Sequence, residues 1–199
     1  MEGSDGSGKT TQIELLREKF EELGREIIIT REPGGTDISE KIRTLILDNS
    51  NVKMSYITEA MLYAAARAQL VDEVIRPAVE SGKVVISDRF VDSSLVYQGI
   101  ARGLGVEKVA EINSYALGEL KPDITFFMDL PPSKAMERKK KQTELDRIES
   151  EKMEFHNMVY EGYKTIAELY KDRIVTIDAS KTVTEIHLEI YNKIKDISK

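Results

Sequence analysis

The feature that most constrains how this chain can fold is a glycine-rich loop almost at its first residue. Residues 3–10 read Gly-Ser-Asp-Gly-Ser-Gly-Lys-Thr: a glycine, four residues, then Gly-Lys-Thr. Glycines let such a loop turn its backbone N–H groups inward, the lysine reaches the outer phosphates of a nucleotide, and the threonine hydroxyl can hold Mg²⁺. The pattern predicts a phosphate-binding loop, and a plain glycine-rich turn is the weaker interpretation.

An amphipathic helix is predicted directly after this loop. Apolar residues at Ile13, Leu16 and Phe20 have the three-and-four spacing of one helix face, and Gly24 stands where helices commonly end. The N-terminus of this helix points free N–H groups and the positive end of its dipole at the loop, so we expect the loop to hold an anion. The residues predicted to contact phosphates are Gly3, Ser4, Asp5, Gly6, Ser7, Gly8, Lys9, Thr10 and Thr11.

Four short apolar runs predict the strands of a parallel sheet, at residues 27–29, 84–86, 124–128 and 174–177, with helical patterns between them. Ligands of such sheets lie beyond the carboxyl ends of the strands, so the loops that follow are candidate binding loops. The first two are Arg31-Glu32-Pro33-Gly34-Gly35-Thr36 and Ser87-Asp88-Arg89-Phe90. A plain connecting turn in the first loop, and a turn-capping role for Asp88 in the second, are the alternatives.

The composition favours a single domain without disulfides. The 199 residues are 41 % hydrophobic and include no cysteine, and no run approaches the roughly 20 apolar residues of a membrane span. A formal net charge of −6 disfavours binding of nucleic-acid polymers through their phosphates. The first residues lack the basic and apolar regions of a secretion signal, so we expect a cytoplasmic protein that acts on small molecules.

A long, largely buried helix with a bend or break at Pro77 is predicted over residues 55–80. Tyr63 and Arg67 lie four residues apart on one side of it, and no acidic residue lies three or four positions from Arg67. A buried arginine needs acceptors, so a ligand is one candidate partner, and a surface position is the alternative. Ser94 and Gln98 belong to a polar and aromatic segment that suits a nucleotide base.

A charge-dense segment follows the third predicted strand. Residues 133–147 contain Arg138, Lys139, Lys140, Lys141 and Arg147. One interpretation of such a run of charges is a solvated helix face. In a chain with a phosphate loop, it also suits a basic flap, at about residues 133–150, that closes over the transferring phosphates.

With the phosphate loop, the Arg-Glu-Pro-Gly-Gly-Thr block and Asp88-Arg89-Phe90 together, the chain resembles the bacterial thymidylate kinases, which are P-loop nucleoside monophosphate kinases. The resemblance runs from Glu2 to the C-terminal helix, and the Arg-Glu-Pro-Gly-Gly-Thr block is its most specific part. It implies an α/β fold with a five-stranded parallel sheet and helices on both faces. It also implies a homodimer that transfers the γ-phosphoryl group of ATP to dTMP.

The resemblance also assigns roles to individual residues. Asp5 matches the acid that meets the sugar 3′-hydroxyl, and Tyr63 matches the aromatic residue that stacks on thymine. Thr10 and Asp88 match the Mg²⁺ side of the ATP site. The remaining dTMP contacts are Arg31, Arg43 and Arg89 near the phosphate, and Arg67, Ser94 and Gln98 at the thymine edge.

The family keeps a catalytic arginine either in the phosphate loop or in the flap. Residues 4–7 contain no arginine, so this chain is similar to the flap type, and Arg138 and Arg147 are the candidates. With Lys9 and Arg89 they form the predicted catalytic set. Phosphoryl transfer needs aligned nucleotides and cations rather than a covalent nucleophile, which agrees with a chain lacking cysteine.

One departure concerns the first strand. Members of this family have a short apolar strand before the Glu-Gly that opens the loop, and here Glu2 and Gly3 follow Met1 directly, so this central strand is expected to be missing. Kinases for another nucleoside monophosphate or a deoxynucleoside are the alternative functions. A third is a nucleotide-binding module without catalysis, in case the missing strand abolishes activity.

Overall fold

The structure is a computed structural model that describes residues 1–139 and 145–195. Four parallel strands alternate with helices: β1 (Ile27–Arg31), β2 (Val84–Asp88), β3 (Thr125–Asp129) and β4 (Ile174–Asp178). The major helices are α1 (Lys9–Glu22), α2 (Asp37–Leu47), α3 (Tyr56–Leu70), α4 (Arg76–Glu80), α5 (Val91–Ser94), α6 (Val106–Leu117), α7 (Pro132–Lys139), α8 (Met153–Leu169) and α9 (Val183–Ile194). This order confirms the predicted α/β class.

Met1 and Glu2, which precede the phosphate loop, connect the two pairs of strands. β1 pairs with β2 and β3 pairs with β4, each in parallel. On one side the Met1 ammonium donates to Ser87 O at 2.9 Å; on the other, Glu2 N donates to Phe126 O at 2.8 Å. The place predicted to lack a strand therefore holds a two-residue bridge between β2 and β3.

Helices cover both faces of the β3 and β4 pair. Phe126 and Met128 pack with Leu16 of α1 and Ile190 of α9, whereas the intervening Phe127 packs with residues of α6 and α8. Alternate side chains of a strand point to opposite faces, so this division shows a helical layer on each side. The candidate loops begin at the carboxyl ends of β1 and β2.

The predicted irregularity in the helix over residues 55–80 lies earlier than Pro77. A π-helical turn at Val71–Ile75 joins α3 to α4, and Pro77 lies in the first turn of α4. The bend or break predicted at Pro77 thus corresponds to a π-helical turn that ends two residues before the proline and contains Glu73, the residue four positions earlier. Proline has no N–H to bond to that carbonyl, and its ring would crowd it. A second π-helical turn, Leu95–Ala101, follows α5 and carries Gln98. In the described part of the chain, no helix is long and apolar enough to span a bilayer.

Candidate active site

The phosphate loop runs from the bridge at Glu2 into α1. Gly3, Gly6 and Gly8 have φ values of 132°, 85° and 96°, which is the region that favours glycine. A Cβ at Gly6 would lie 2.4 Å from the carbonyl oxygen of Ala135 in α7, so the loop packs closely against the first part of the predicted flap. The loop shape thus depends on glycine, as the sequence pattern predicts.

Lys9 lies at the first position of α1 with its side chain buried in the loop. Its ammonium donates to Gly3 O at 3.1 Å and to Ser4 O at 3.2 Å. Burial lowers the pKa of Lys9 to about 8, helped by the charge of Arg89 and opposed by Asp5 at 3.7 Å and by Asp88. The loop therefore encloses a cation that carbonyl oxygens hold in place, ready for an anionic ligand.

The end of β2 brings one carboxylate to the loop. Asp88 Oδ1 lies 3.9 Å from the Lys9 ammonium and is buried without a hydrogen-bond partner among the described residues. Thr10, in the first turn of α1, is exposed at the same loop. No cluster of three or more acidic, histidine or cysteine residues that could enclose a metal occurs within residues 1–139 and 145–195. These two side chains fit a cation that takes its other ligands from phosphates and water.

A hydrogen-bonded chain connects the bridge residue Glu2 to the loop. The Glu2 carboxylate, 1 % exposed, accepts hydrogen bonds from Ser93 Oγ at 2.6 Å and from Tyr163 OH at 2.9 Å. Arg89 donates to Tyr163 OH at 3.0 Å and to Asp5 Oδ1 at 2.9 Å. Because each hydroxyl gives its hydrogen to Glu2, its lone pairs face the Arg89 guanidinium. Arg89 itself adopts a φ of 66°, which is uncommon outside glycine.

Two arginines converge on the loop after β1. Arg31 and Arg43 both donate to the carbonyl oxygen of Pro33, at 3.1 and 2.9 Å. Arg31 also donates to both carboxylate oxygens of Glu40, each at 3.0 Å. Burial, together with the charge of Arg31, lowers the pKa of Arg43 below its ordinary value. The mutual repulsion of two guanidinium groups makes this corner favourable for an anion.

Arg67 is fully buried, and its main partner is a carboxylate rather than a ligand. Its Nε donates to Glu32 Oε2 at 2.8 Å, and its Nη1 donates to Ser94 Oγ at 3.0 Å and to Asn113 Oδ1. The sequence search for an acid three or four positions away was too local, because Glu32 is 35 residues distant along the chain. Burial raises the pKa of Glu32 to about 7, and the charge and hydrogen bonds of Arg67 oppose that rise.

An open cavity of about 120 Å³ lies between these groups. All the predicted dTMP-side residues line it except Arg31. Tyr63 forms part of its wall, and burial raises the pKa of its hydroxyl strongly, so the ring stays neutral. Aromatic, cationic and amide groups thus surround a space that begins at the phosphate loop.

The two flap arginines are bonded elsewhere in the protein. Arg138 donates to Ala179 O at 3.1 Å, and Arg147 donates to Ile46 O at 2.7 Å and to Glu59 Oε2 at 2.6 Å. No hydrogen bond or ion pair joins either guanidinium to the phosphate loop in the described ranges. Residues 140–144, with Lys140 and Lys141, lie outside the described residues. A catalytic role for either arginine stays a prediction.

Sequence reasoning missed the role of the buried acids that organise the site. Glu2, Glu32 and Glu59 are each at most 6 % exposed, and each anchors groups that line the cavity. Tyr97, by contrast, belongs to the polar and aromatic segment that the sequence indicates, and it lines the cavity with its ring 5.4 Å from the Arg89 guanidinium carbon. The available signal was the placement of Glu2 and Glu32 inside motifs already singled out. Glu59 carried no comparable signal.

Comparisons with known proteins agree with one another. A family model described as thymidylate kinase matches residues 1–190. A thymidylate kinase from Lactobacillus helveticus is 50 % identical, covering 93 % of this chain and 89 % of the relative. One from Thermoanaerobacter is 48 % identical, covering 98 % and 95 %. The crystal structure of thymidylate kinase from Ehrlichia chaffeensis superposes with a TM-score of 0.79 at 31 % identity, covering 98 % and 95 %.

Proposed function

The chain belongs to the thymidylate kinase family, and we propose that it transfers the γ-phosphoryl group of ATP to the phosphate of dTMP, giving ADP and dTDP. The observation that carries this proposal is that the phosphate loop and the cavity share a side chain. Asp5 lies in the loop and also lines the cavity, and Arg89, another lining residue, bonds to it at 2.9 Å. Two nucleotides bound on the two sides would meet at this pair.

The phosphate loop forms the donor half of the proposed site. The first-turn N–H groups of α1 and the Lys9 ammonium supply positive charge where the outer phosphates of ATP would lie. Lys9 would exchange its bonds to the carbonyls of Gly3 and Ser4 for bonds to phosphate oxygens. In the transition state, charge spreads over the transferring oxygens, so cations fixed beforehand stabilise it.

Thr10 and Asp88 would hold Mg²⁺ on this side. Bound with ATP, Mg²⁺ would neutralise phosphate charge during the transfer. The fit rests on the Asp88 oxygen that has no hydrogen-bond partner among the described residues, and on Thr10, which is exposed in the first turn of α1. Mg²⁺ usually binds only one or two protein ligands when phosphates and water complete its coordination shell.

The cavity forms the acceptor half. Arg89, Arg31 and Arg43 would hold the phosphate of dTMP, and Asp5 would accept the hydrogen of the sugar 3′-hydroxyl. Tyr63 would stack on the base, and Arg67, Ser94 and Gln98 would contact its polar edge. In this arrangement the acceptor oxygen would lie near Arg89 and Lys9, and the transfer would need no covalent intermediate.

We extend the proposal to the whole chain: residues 1–199 form one domain, which works in the cytoplasm. In it, the flap at about residues 133–150 supplies Arg138 or Arg147 to the transferring phosphates. The contact between Gly6 of the loop and Ala135 of α7 supports a flap that responds to what the loop holds. A catalytic flap arginine would leave its present acceptors, the carbonyl of Ala179 for Arg138 or Glu59 for Arg147.

The proposal is tested by measuring ADP formation from ATP and Mg²⁺ with each of dTMP, dUMP, dCMP, dAMP and dGMP. We expect dTMP to give the highest kcat/KM, because the cavity is lined by Tyr63, which we propose to stack on thymine, and by Arg67, Ser94 and Gln98, which we propose to contact its polar edge. ATP turnover without an acceptor should be far slower. Fast turnover of another monophosphate with none of dTMP would contradict the proposal.

The chain is further proposed to act as a homodimer through the helices α2, α3 and α6, which pack side by side. Their outer surfaces carry exposed apolar side chains: Leu45 at 46 %, Met61 at 56 % and Tyr115 at 85 %. We expect a solution mass of twice 22.5 kDa by light scattering. Met61→Glu should give monomers, whereas the control Leu188→Glu, at a residue of α9 that is 54 % exposed, should not. A monomeric wild type would contradict this.

A further inference from the structure

Glu59 of α3 joins the cavity to Arg147, in the last part of the predicted flap. Its carboxylate is 1 % exposed and accepts from Gln98 Nε2 at 3.0 Å, from Arg102 Nε at 3.3 Å and from Arg147 Nη2 at 2.6 Å. With two guanidinium groups as ion-pair partners, Glu59 is a carboxylate that can only accept hydrogen bonds. It therefore fixes which end of the Gln98 amide faces it.

The orientation of the Gln98 amide follows from this chemistry. The nitrogen and oxygen of an amide are usually told apart by their partners. Because Glu59 needs a donor, the Gln98 nitrogen faces Glu59 and the amide oxygen lies at the opposite side. That oxygen has no hydrogen-bond partner among the described residues, and Gln98 lines the cavity. The cavity thus carries a fixed acceptor.

Arg67 supplies a donor to the same cavity. A guanidinium has five N–H groups. Four of these N–H groups in Arg67 have acceptors. The Nε hydrogen and one Nη2 hydrogen are donated to Glu32. The two Nη1 hydrogens are donated to Ser94 and Asn113. The second Nη2 hydrogen has no acceptor within the part of the chain that the structure describes, and Arg67 lines the cavity.

We propose that Glu59 is a positioning residue that sets the pyrimidine specificity of the acceptor site. By holding the Gln98 amide oxygen toward the base, it selects a ring with an N3–H donor beside a 4-carbonyl acceptor, as in thymine and uracil. Cytosine presents the opposite pattern, an acceptor at N3 and an amino donor at C4, so it would leave the Gln98 oxygen and the Arg67 donor unpaired. This inference rests on the proposed function, since it assumes a pyrimidine monophosphate in the cavity.

The test compares kcat/KM for dTMP, dUMP and dCMP in the wild type and in Glu59→Gln. A glutamine at this position can donate as well as accept, which lets the Gln98 amide turn and offer its nitrogen to cytosine N3. We expect the dTMP-to-dCMP ratio to fall by about tenfold to a hundredfold, the range of one buried polar mismatch. The dTMP-to-dUMP ratio should stay unchanged, because these bases share the same N3 and C4 groups.

Glu151→Gln is the matched control. Glu151 accepts from Arg102 Nη1 at 2.6 Å, so this variant removes an ion-pair partner of the same arginine without touching Gln98. Its dTMP-to-dCMP ratio should equal that of the wild type. Glu59→Asp serves as a second variant should Glu59→Gln fold poorly: it keeps the negative charge for both arginines but withdraws the carboxylate from Gln98. Its ratio should fall as well.

A third comparison separates positioning from general damage. In the background of Gln98→Leu, Glu59→Gln should leave the dTMP-to-dCMP ratio as it is, because the residue through which Glu59 acts is gone. An equal loss of activity toward all three substrates in Glu59→Gln and Glu59→Asp, at an unchanged ratio, would overturn the inference. A wild type inactive on dTMP would instead overturn the proposed function, and the inference with it, before any variant is compared.

Discussion

Replacement of Lys9 by methionine is expected to lower kcat for dTMP phosphorylation by about 10²–10³, the usual cost of losing one preorganised charge at a transition state. Methionine keeps the length and apolar stem of lysine but removes the ammonium that donates to Gly3 O and Ser4 O. The folded protein should keep its melting temperature or gain slightly, because burial already disfavours this charge.

The same lysine predicts a pH dependence. Its pKa is lowered to about 8, so the positive charge that we propose to bind phosphate is lost as the pH rises through that value in the free enzyme. Wild-type kcat/KM for ATP should therefore decline above about pH 8. Lys19→Met is the control on the same helix, since Lys19 pairs with Glu22 on the surface and should leave the kinetics unchanged. Full activity in Lys9→Met would show that the loop is not the donor site.

The second large effect is expected in Arg67→Met. This change leaves Glu32 buried without its ion-pair partner, which should lower the free energy of unfolding at neutral pH by about 3–5 kcal/mol. It also removes a polar contact from the cavity, so KM for dTMP should rise. Denaturant titrations measure the free energy of unfolding, and initial-rate measurements give KM for dTMP.

The loss of stability in Arg67→Met should depend on pH. The pKa of Glu32 is raised from 4.5 to about 7 even with Arg67 in place, and removal of that opposing charge raises it further. An acid with a raised folded-state pKa contributes most below its unfolded value and loses that contribution as the pH rises through the folded value. The difference in free energy of unfolding between the wild type and Arg67→Met should therefore be smaller at pH 5 than at pH 8.

Two comparisons make this prediction specific. Adding Glu32→Gln to Arg67→Met removes the buried charge, so part of the stability should return while KM for dTMP stays high. Arg173→Met breaks another buried ion pair, with Asp92, which is 1 % exposed and lies outside the cavity. That control should lose stability but keep its KM for dTMP. An Arg67→Met protein as stable as the wild type at pH 8 would contradict the account.

The order of helices and strands could be predicted because it depends on local patterns. Apolar periodicity placed β1, β2, β3 and β4 within two residues of their observed bounds, and the glycine spacing identified the phosphate loop. The assignment of residues to the cavity came from motif resemblance, and all the dTMP-side residues except Arg31 line one cavity.

The partners of buried charges could not be predicted. Arg67 pairs with Glu32, which is 35 residues away along the chain. Gln98 donates to Glu59, which is 39 residues away. Such pairs form because the carboxyl ends of parallel strands and the adjoining helices meet at one edge, and no local rule encodes which acid meets which arginine. The bridge at Glu2 was missed for the same reason, since its donors at Ser93 and Tyr163 come from distant parts of the chain.

The central claim is that one site joins a phosphate donor to a pyrimidine monophosphate acceptor. It is tested most directly by following the radioactive label of [γ-³²P]ATP in the presence of Mg²⁺ and dTMP. The account predicts labelled dTDP that forms only when dTMP is present and that falls by about 10²–10³ in Lys9→Met. Labelled inorganic phosphate released at the same rate with and without dTMP, and no labelled dTDP, would contradict it.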